Sequence, residues 1–491
     1  MKRGADIVLI NPGHRKAVFQ DLAADYSAIE PPFWIAAIAA YLLNKGFQVA
    51  VIDANAETIS PEEITKEVKE IQPLICAVIV YGSQPSASTQ NMTVAGLICR
   101  ELKNHTTSKI ALGGLHPSAL PGRTMEEEAV DFVIDGEGPY TLASLLELLK
   151  ANRSDYSKVP GLWYRQKKAV ISNPRAALIK NLDEISPLAA WELLAMHKYR
   201  AHNWHCFDGL DNRMPYAAIY TSLGCPYACT FCCINAPFGE HIIRYRSPAL
   251  VVNEIEFLVK KYGISNLKIV DELFIFNEEH YMAIVDLILE KGLDLNIWAY
   301  ARIDTVNFSN LEKMKRAGIN WLAVGIESAS EFVRDGADKR IRRRDIIETV
   351  RKIQSAGINV VGNYIFGLPD DNHDTMQQTL DLALEINAEW ANFYCAMAYP
   401  GSKLYEIALA EKWALPQSWI GFSQHAYETL PLPTKYLNAK EVLNFRDEAF
   451  LKYFQSDRYL ALIRKKFGEK PERHIREVTG VKLTRKILQG E

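Results

Sequence analysis

The stretch Thr221-Ser222-Leu223-Gly224-Cys225-Pro226-Tyr227-Ala228-Cys229-Thr230-Phe231-Cys232-Cys233 decides how this chain is read. It follows a short apolar run from Ala217 to Tyr220 that predicts a buried strand. Three of the chain's eight cysteines fall here with the spacing C-x3-C-x2-C. Three thiolates are one short of the four protein ligands of a structural zinc site. They can hold three irons of a [4Fe-4S] cluster and leave the fourth iron open to an exchangeable ligand. Gly224 and Pro226 let the backbone wrap closely around such a cluster, and Phe231 would shield it from water. Two other readings stand beside this one: a zinc site that borrows Cys233 or Cys206, and cysteines that are merely buried.

Both flanks alternate apolar runs with amphipathic stretches. Upstream, candidate strands lie at 7–10, 48–52, 75–80, 109–112 and 132–134, with helical patterns between them. One such helix runs from Phe33 to Lys45 and stops at Gly46. This order predicts a doubly wound parallel sheet, whose ligands gather at the carboxyl ends of the strands. The loops there are Asn11-Pro12-Gly13, Asp53-Ala54-Asn55, Gly82-Ser83, Gly113-Gly114 and Gly136-Glu137-Gly138. Residues 151–210 read as a connector broken by Pro160, Pro174 and Pro187. His197, His202, His205 and Cys206 lie close together in it without a metal-ligand spacing, which predicts a packed or solvated linker. Downstream, apolar runs at 217–222, 267–270, 297–299, 321–325, 360–366 and 390–396 alternate with amphipathic helices, most of them closing on glycine. Six βα units predict an incomplete (β/α)6 barrel with its chemistry on the carboxyl-end face. The expected fold is therefore α/β: a doubly wound sheet over 1–150, the connector, a partial barrel over 211–405 and a helical region over 406–491.

The segment Gly224-Cys225-x3-Cys229-x-Phe231-Cys232 after a strand resembles the radical S-adenosylmethionine (SAM) superfamily. The upstream order Pro31-Pro32, Gly46-Phe47, Ile52-Asp53-Ala54, Gly113-Gly114-Leu115-His116-Pro117 and Asp135-Gly136-Glu137-Gly138 is similar to its subgroup with an N-terminal cobalamin-binding domain. The likeness covers residues 5 to about 405. It implies a cluster on Cys225, Cys229 and Cys232. Asp271 and Glu272 would hold SAM's amino group, Arg302 would pair with its carboxylate, and Glu327 and Ser328 would reach its other polar groups. It also implies that cobalamin's nucleotide tail lies near Ser83, Gly113, Gly114, His116, Gly136, Glu137 and Gly138. The loop after the first strand, Asn11-Pro12-Gly13-His14, departs from the D-x-H-x-x-G pattern that places a histidine under cobalt, so no protein nitrogen is expected there.

Apolar residues make up 48% and charged residues 23% of the chain, and the net charge is −3, so nothing points to a nucleic-acid partner. No window approaches the roughly 18 apolar residues of a membrane span. Few, clustered cysteines fit a reducing compartment, and a cytoplasmic location is expected. The resemblance implies an enzyme with three cofactors, a [4Fe-4S] cluster, SAM and cobalamin, fed by a donor such as flavodoxin or ferredoxin. Its expected reaction is methylation of an unactivated carbon of a small molecule, by way of a 5′-deoxyadenosyl radical and methylcobalamin. The alternatives are a cobalamin-dependent rearrangement or cyclisation, and a non-catalytic cobalamin or cluster sensor.

Overall fold

The computed structural model describes residues 4–82 and 85–489. Seven strands form the first sheet: β1 (Ile7–Asn11), β2 (Val49–Asp53), β3 (Ile75–Val80), β4 (Lys109–Gly114), β5 (Phe132–Ile134), β6 (Leu162–Gln166) and β7 (Ala169–Ser172). Their order is β2-β1-β3-β4-β5-β6-β7, and the first five are parallel. β1 and β3 are buried along their whole length, as strands covered on both faces must be. The helix Phe33–Asn44 is buried on nearly every side because it packs between this sheet and the connector.

Two strands lie where the sequence reads as connector. β6 and β7 pair antiparallel and extend the sheet from β5. The turn between them is Lys167-Lys168, with Lys167 at φ +57°, and it lacks the Asn-Gly or Asp-Gly signature of a two-residue hairpin. The connector is packed over residues 203–207, where His205 Nε2 lies 2.9 Å from the Asn296 carbonyl, while residues 151–155 and His197 are exposed.

The second sheet holds β8 (Tyr216–Ile219), β11 (Asn266–Ile269), β12 (Asn296–Arg302), β13 (Ile319–Glu327), β14 (Asn359–Phe366) and β15 (Trp390–Cys395). All six are parallel and each pairs with its neighbour in sequence, with β8 and β15 at the two edges. This is the half-barrel that the six βα units predict. A small hairpin, β9 (Ser222–Leu223) with β10 (Arg244–Tyr245), stands on the carboxyl end of β8.

After the helix Lys403–Ala410 and a short 3-10 turn at Trp419–Phe422, the tail is helical over Ala439–Phe454, Asp457–Phe467 and Glu469–Gly480. Residues 411–438 form an irregular strap, since Pro416, Pro431 and Pro433 interrupt any helix. The strap ties the halves together: Ser423 Oγ donates to the Val18 carbonyl at 3.2 Å, while Gln424 bonds the backbone of Cys395. One continuous apolar core runs from Ile7 in the first sheet through the half-barrel to Tyr459. No helix among the described residues is long and apolar enough to cross a membrane.

Candidate active site

The cysteine loop leaves β8 and returns through β10. Gly224 makes the first bend at φ +91°, where a side chain would collide with the Ile242 carbonyl. Asn235 clamps the loop by accepting from the Cys225 N–H at 3.2 Å and donating to the Cys225 carbonyl at 2.9 Å. Cys225, Cys229 and Cys232 are partly exposed, whereas Cys233 is buried. Cys206 lies at the other end of the barrel, where its Sγ donates to Asn266 at the start of β11. Burial pushes the Cys225 thiol up to about 11 and the Cys232 thiol well above its ordinary value. Thiols so placed ionise only beside strong positive charge, which cluster irons supply. The donor set fits an iron–sulfur cluster.

The carboxyl ends of the next strands divide the expected SAM residues into two groups. Asp271 is fully buried and accepts from the Thr221 N–H at 2.6 Å, the Thr221 hydroxyl at 2.5 Å and the Ser222 hydroxyl at 2.6 Å. It pins the start of the cysteine loop. Ser328 is likewise used inside the fold, bonded to Thr379 and to the Ser330 N–H at 3.2 Å each. Glu272 differs: its Oε2 is buried with no partner, and burial followed by the Asp271 charge pushes its carboxyl up to about 8. A buried carboxylate with one oxygen left unpartnered fits the ammonium of a bound amino acid. The Arg302 guanidinium lies over the Tyr227 ring at 4.1 Å, and its Nε donates to Asp304 at 2.7 Å. Glu327 sits at φ +64° beside a register shift between β13 and β14, and its carboxylate pairs with Lys339. A non-glycine residue held there is a strain found mostly at functional sites. Sequence reasoning missed Lys339, which no motif marks.

On the first sheet, Gly113 and Gly114 end β4. At Gly114, φ +130°, a side chain would run into the backbone of Val80. Gly136 and Gly138 also have positive φ, and the Gly136 carbonyl accepts from the Tyr81 hydroxyl at 3.3 Å. Such bare backbone suits the close approach of a large ligand. Ser83 lies outside the described residues. His116 is buried, with Nδ1 3.3 Å from the Thr89 hydroxyl and its ring edge-on to Trp419 at 4.4 Å. Burial lowers its imidazole to about 3, so it is neutral. Glu137 is committed to the protein: it accepts from Arg244 at 2.8 and 3.2 Å and from the Ile179 N–H at 2.8 Å. It thereby fastens the first sheet to the cysteine hairpin.

Between the halves lies a cavity of about 330 Å³. Asn11, Tyr81 and Gly82 line it from the first sheet, and Tyr220, Val270 and Tyr300 from the half-barrel. A smaller pocket carrying Glu272 shares Trp34, Tyr81, Gly82 and Tyr220 with it. Glu272 and the loops after β1 and β3 thus open onto neighbouring space, whereas Cys225, Cys229, Cys232, Gly113, Gly114, Gly136 and Gly138 do not line either pocket. His14 also lines the main cavity.

Comparison with known proteins agrees with this geometry. Residues 219–383 match the radical SAM superfamily and residues 20–146 match the B12 binding domain. An uncharacterized methyltransferase of Pyrococcus horikoshii is 30% identical over 428 residues, covering 86% of this chain and 88% of that protein. The anaerobic magnesium-protoporphyrin IX monomethyl ester cyclase of Cereibacter sphaeroides is 24% identical, covering 82% of this chain and 63% of its own length. The radical SAM methyltransferase TsrM from Kitasatospora setae, solved with cobalamin and a [4Fe-4S] cluster, shares the fold at a TM-score of 0.65. It is 19% identical, over 83% of this chain and 75% of that one. The chain belongs to the radical SAM family that carries a B12-binding domain, and is a cobalamin-dependent radical SAM enzyme whose cofactors are a [4Fe-4S] cluster, SAM and cobalamin.

Proposed function

We propose that this enzyme methylates an unactivated carbon of a small molecule held in the cavity between its halves. The observation that carries the reading is the cavity's double wall, drawn from the carboxyl-end faces of both sheets. When bound, the cluster with SAM supplies cleavage of a carbon–hydrogen bond, and cobalamin supplies the methyl group. Cys225, Cys229 and Cys232 hold the cluster. Glu272 and Arg302 hold the ammonium and carboxylate of SAM, and Glu327, fixed by Lys339, reaches its ribose side. Asp271 and Ser328 position these groups through the bonds described above. Gly113, Gly114, Gly136 and Gly138 give cobalamin's tail access to the sheet edge, with His116 and Glu137 shaping that edge from within. Trp34 and Tyr81 stack at 4.4 Å and, with Tyr220, keep water from the space between the cofactors. A low-potential donor such as flavodoxin or ferredoxin and the reducing cytoplasm suit an open cluster.

The methyltransferase relative supports methyl transfer. The cyclase relative supports a second reading, ring formation without it. Incubating the reconstituted enzyme with reductant, methyl-deuterated SAM and cell extract separates them. Methylation predicts a small molecule that gains the deuterated methyl. A metabolite consumed in step with 5′-deoxyadenosine, but unlabelled, would favour cyclisation.

A further inference from the structure

On one wall of the cavity, three titratable groups from three separate segments meet. Glu30 comes from the first half, just before Pro31-Pro32; His202 comes from the connector; Lys268 comes from the interior of β11. Lys268 Nζ lies 3.0 and 3.1 Å from the two Glu30 oxygens and 4.5 Å from the centre of the Trp298 ring. His202 Nε2 is 3.7 Å from Glu30. The Lys268 side chain is only 2% exposed. A strand inside a parallel barrel ordinarily carries apolar residues, and in register Lys268 sits between Ala218 and Trp298. Replacing a buried ion pair by well-packed apolar residues is often neutral or stabilising, so its burial is weak evidence of a purely structural role. The Lys268 charge also acts on Glu272 of the expected SAM site, so the pair lies within electrostatic reach of it.

We propose that the Glu30–Lys268 pair anchors the substrate, and that it selects a zwitterion: a molecule with a carboxylate, an ammonium and an apolar or aromatic body. This rests on the cavity being the substrate site. The argument is one of charge conservation in a dry space. A ligand bearing only a carboxylate can take Lys268 only by setting Glu30 against a second anion. A ligand bearing only an ammonium crowds Lys268 in the same way. A zwitterion inserted between the two gives each buried charge a new opposite partner, so neither is left alone. The other cations on the wall are occupied elsewhere: Arg446 pairs with Asp447 at 2.6 Å, and Arg15 donates to the Ala23 carbonyl at 2.6 Å. The body of the ligand meets Trp204, Trp298, Trp390 and Phe393. The joined amides of Asn363 and Asn392, 2.9 Å apart, offer the same space a hydrogen-bonding edge.

The test is equilibrium dialysis of the cofactor-loaded enzyme with L-tryptophan, L-tyrosine, L-phenylalanine, L-methionine and L-leucine as probes. The tightest probe is then compared with its decarboxylated amine and its deaminated acid. At least one amino acid should bind saturably, and both analogues should bind at least tenfold more weakly. Glu30→Leu/Lys268→Met, which leaves no charge unpaired, should lose at least tenfold in affinity while keeping its iron and cobalamin content. The analogue comparison needs no variant, so it decides the matter even if the double variant does not fold. Absence of saturable binding by every probe, analogues as tight as the amino acid, or undiminished binding by the double variant would overturn the proposal. Binding is read without turnover. Labelled product without zwitterion binding sinks this inference alone, and zwitterion binding without label transfer sinks methylation alone.

Discussion

Glu272 and its neighbour Asp271 differ by one position and take opposite roles. Both lie just past the end of β11, where one carboxylate turns into the fold against Thr221 and Ser222 and the other faces the pocket. The pair of acids was legible in the sequence; which of them is spoken for was not, because that depends on partners some fifty residues away. Glu272 also titrates in a useful range. Its carboxyl keeps its proton up to about pH 8 in the empty site, and only the ionised form attracts an ammonium. SAM affinity of the cluster-loaded enzyme should therefore rise as pH climbs toward 8 and fall again as SAM's own amino group loses its proton. Glu272→Gln should bind SAM more weakly and without that slope. Isothermal titration at several pH values checks it; an equal slope in the variant would contradict the assignment. Lys339 stayed hidden for the same reason as Asp271's role: its link to Glu327 exists only once the loop after β13 has folded back.

Among the elements, the strands were the most legible, since parallel strands buried on both faces read as unbroken apolar runs. The β6–β7 hairpin is not legible because Lys167-Lys168 carries no turn signal, and the strap at 411–438 departs from the helical region expected over 406–491 because Pro416, Pro431 and Pro433 interrupt it. The cysteine loop was legible in spacing but not in support. Its shape depends on the Gly224 bend and the Asn235 clamp, neither of which involves a thiol as donor or acceptor. Two substitutions separate support from ligation. Cys233→Ala removes a buried sulfur and should leave iron content near that of the parent. Gly224→Ala should lose most of the iron, since the added methyl meets the Ile242 carbonyl in a backbone region costly for alanine. Iron and sulfide assays after anaerobic reconstitution measure both. Iron lost on changing Cys233 would mean that this residue is a ligand.

Across the whole molecule, the halves are locked by charged pairs that no local pattern announces. Arg244 of the cysteine hairpin grips Glu137 at the end of the first sheet. Arg175 pairs with Asp135 and also donates to the Ala236 carbonyl at 3.0 Å, on the cysteine loop. Breaking a buried pair by removing one partner typically costs about 3–5 kcal/mol, so the buried Arg244–Glu137 tie holds the two carboxyl-end faces toward each other, and the more exposed Arg175–Asp135 pair adds less. The two-half architecture could be read from strand–helix alternation; the facing of the halves could not, because it rests on contacts such as Glu30 with Lys268, 238 positions apart. Anomalous diffraction at the iron and cobalt edges from crystals of the loaded enzyme locates both metals relative to the two facing sheets. Cobalt should lie in the shared cavity, with its open face toward the cluster and no farther from it than SAM and one substrate can span. Cobalt turned away from the cluster, or separated from it by the protein core, would contradict that placement.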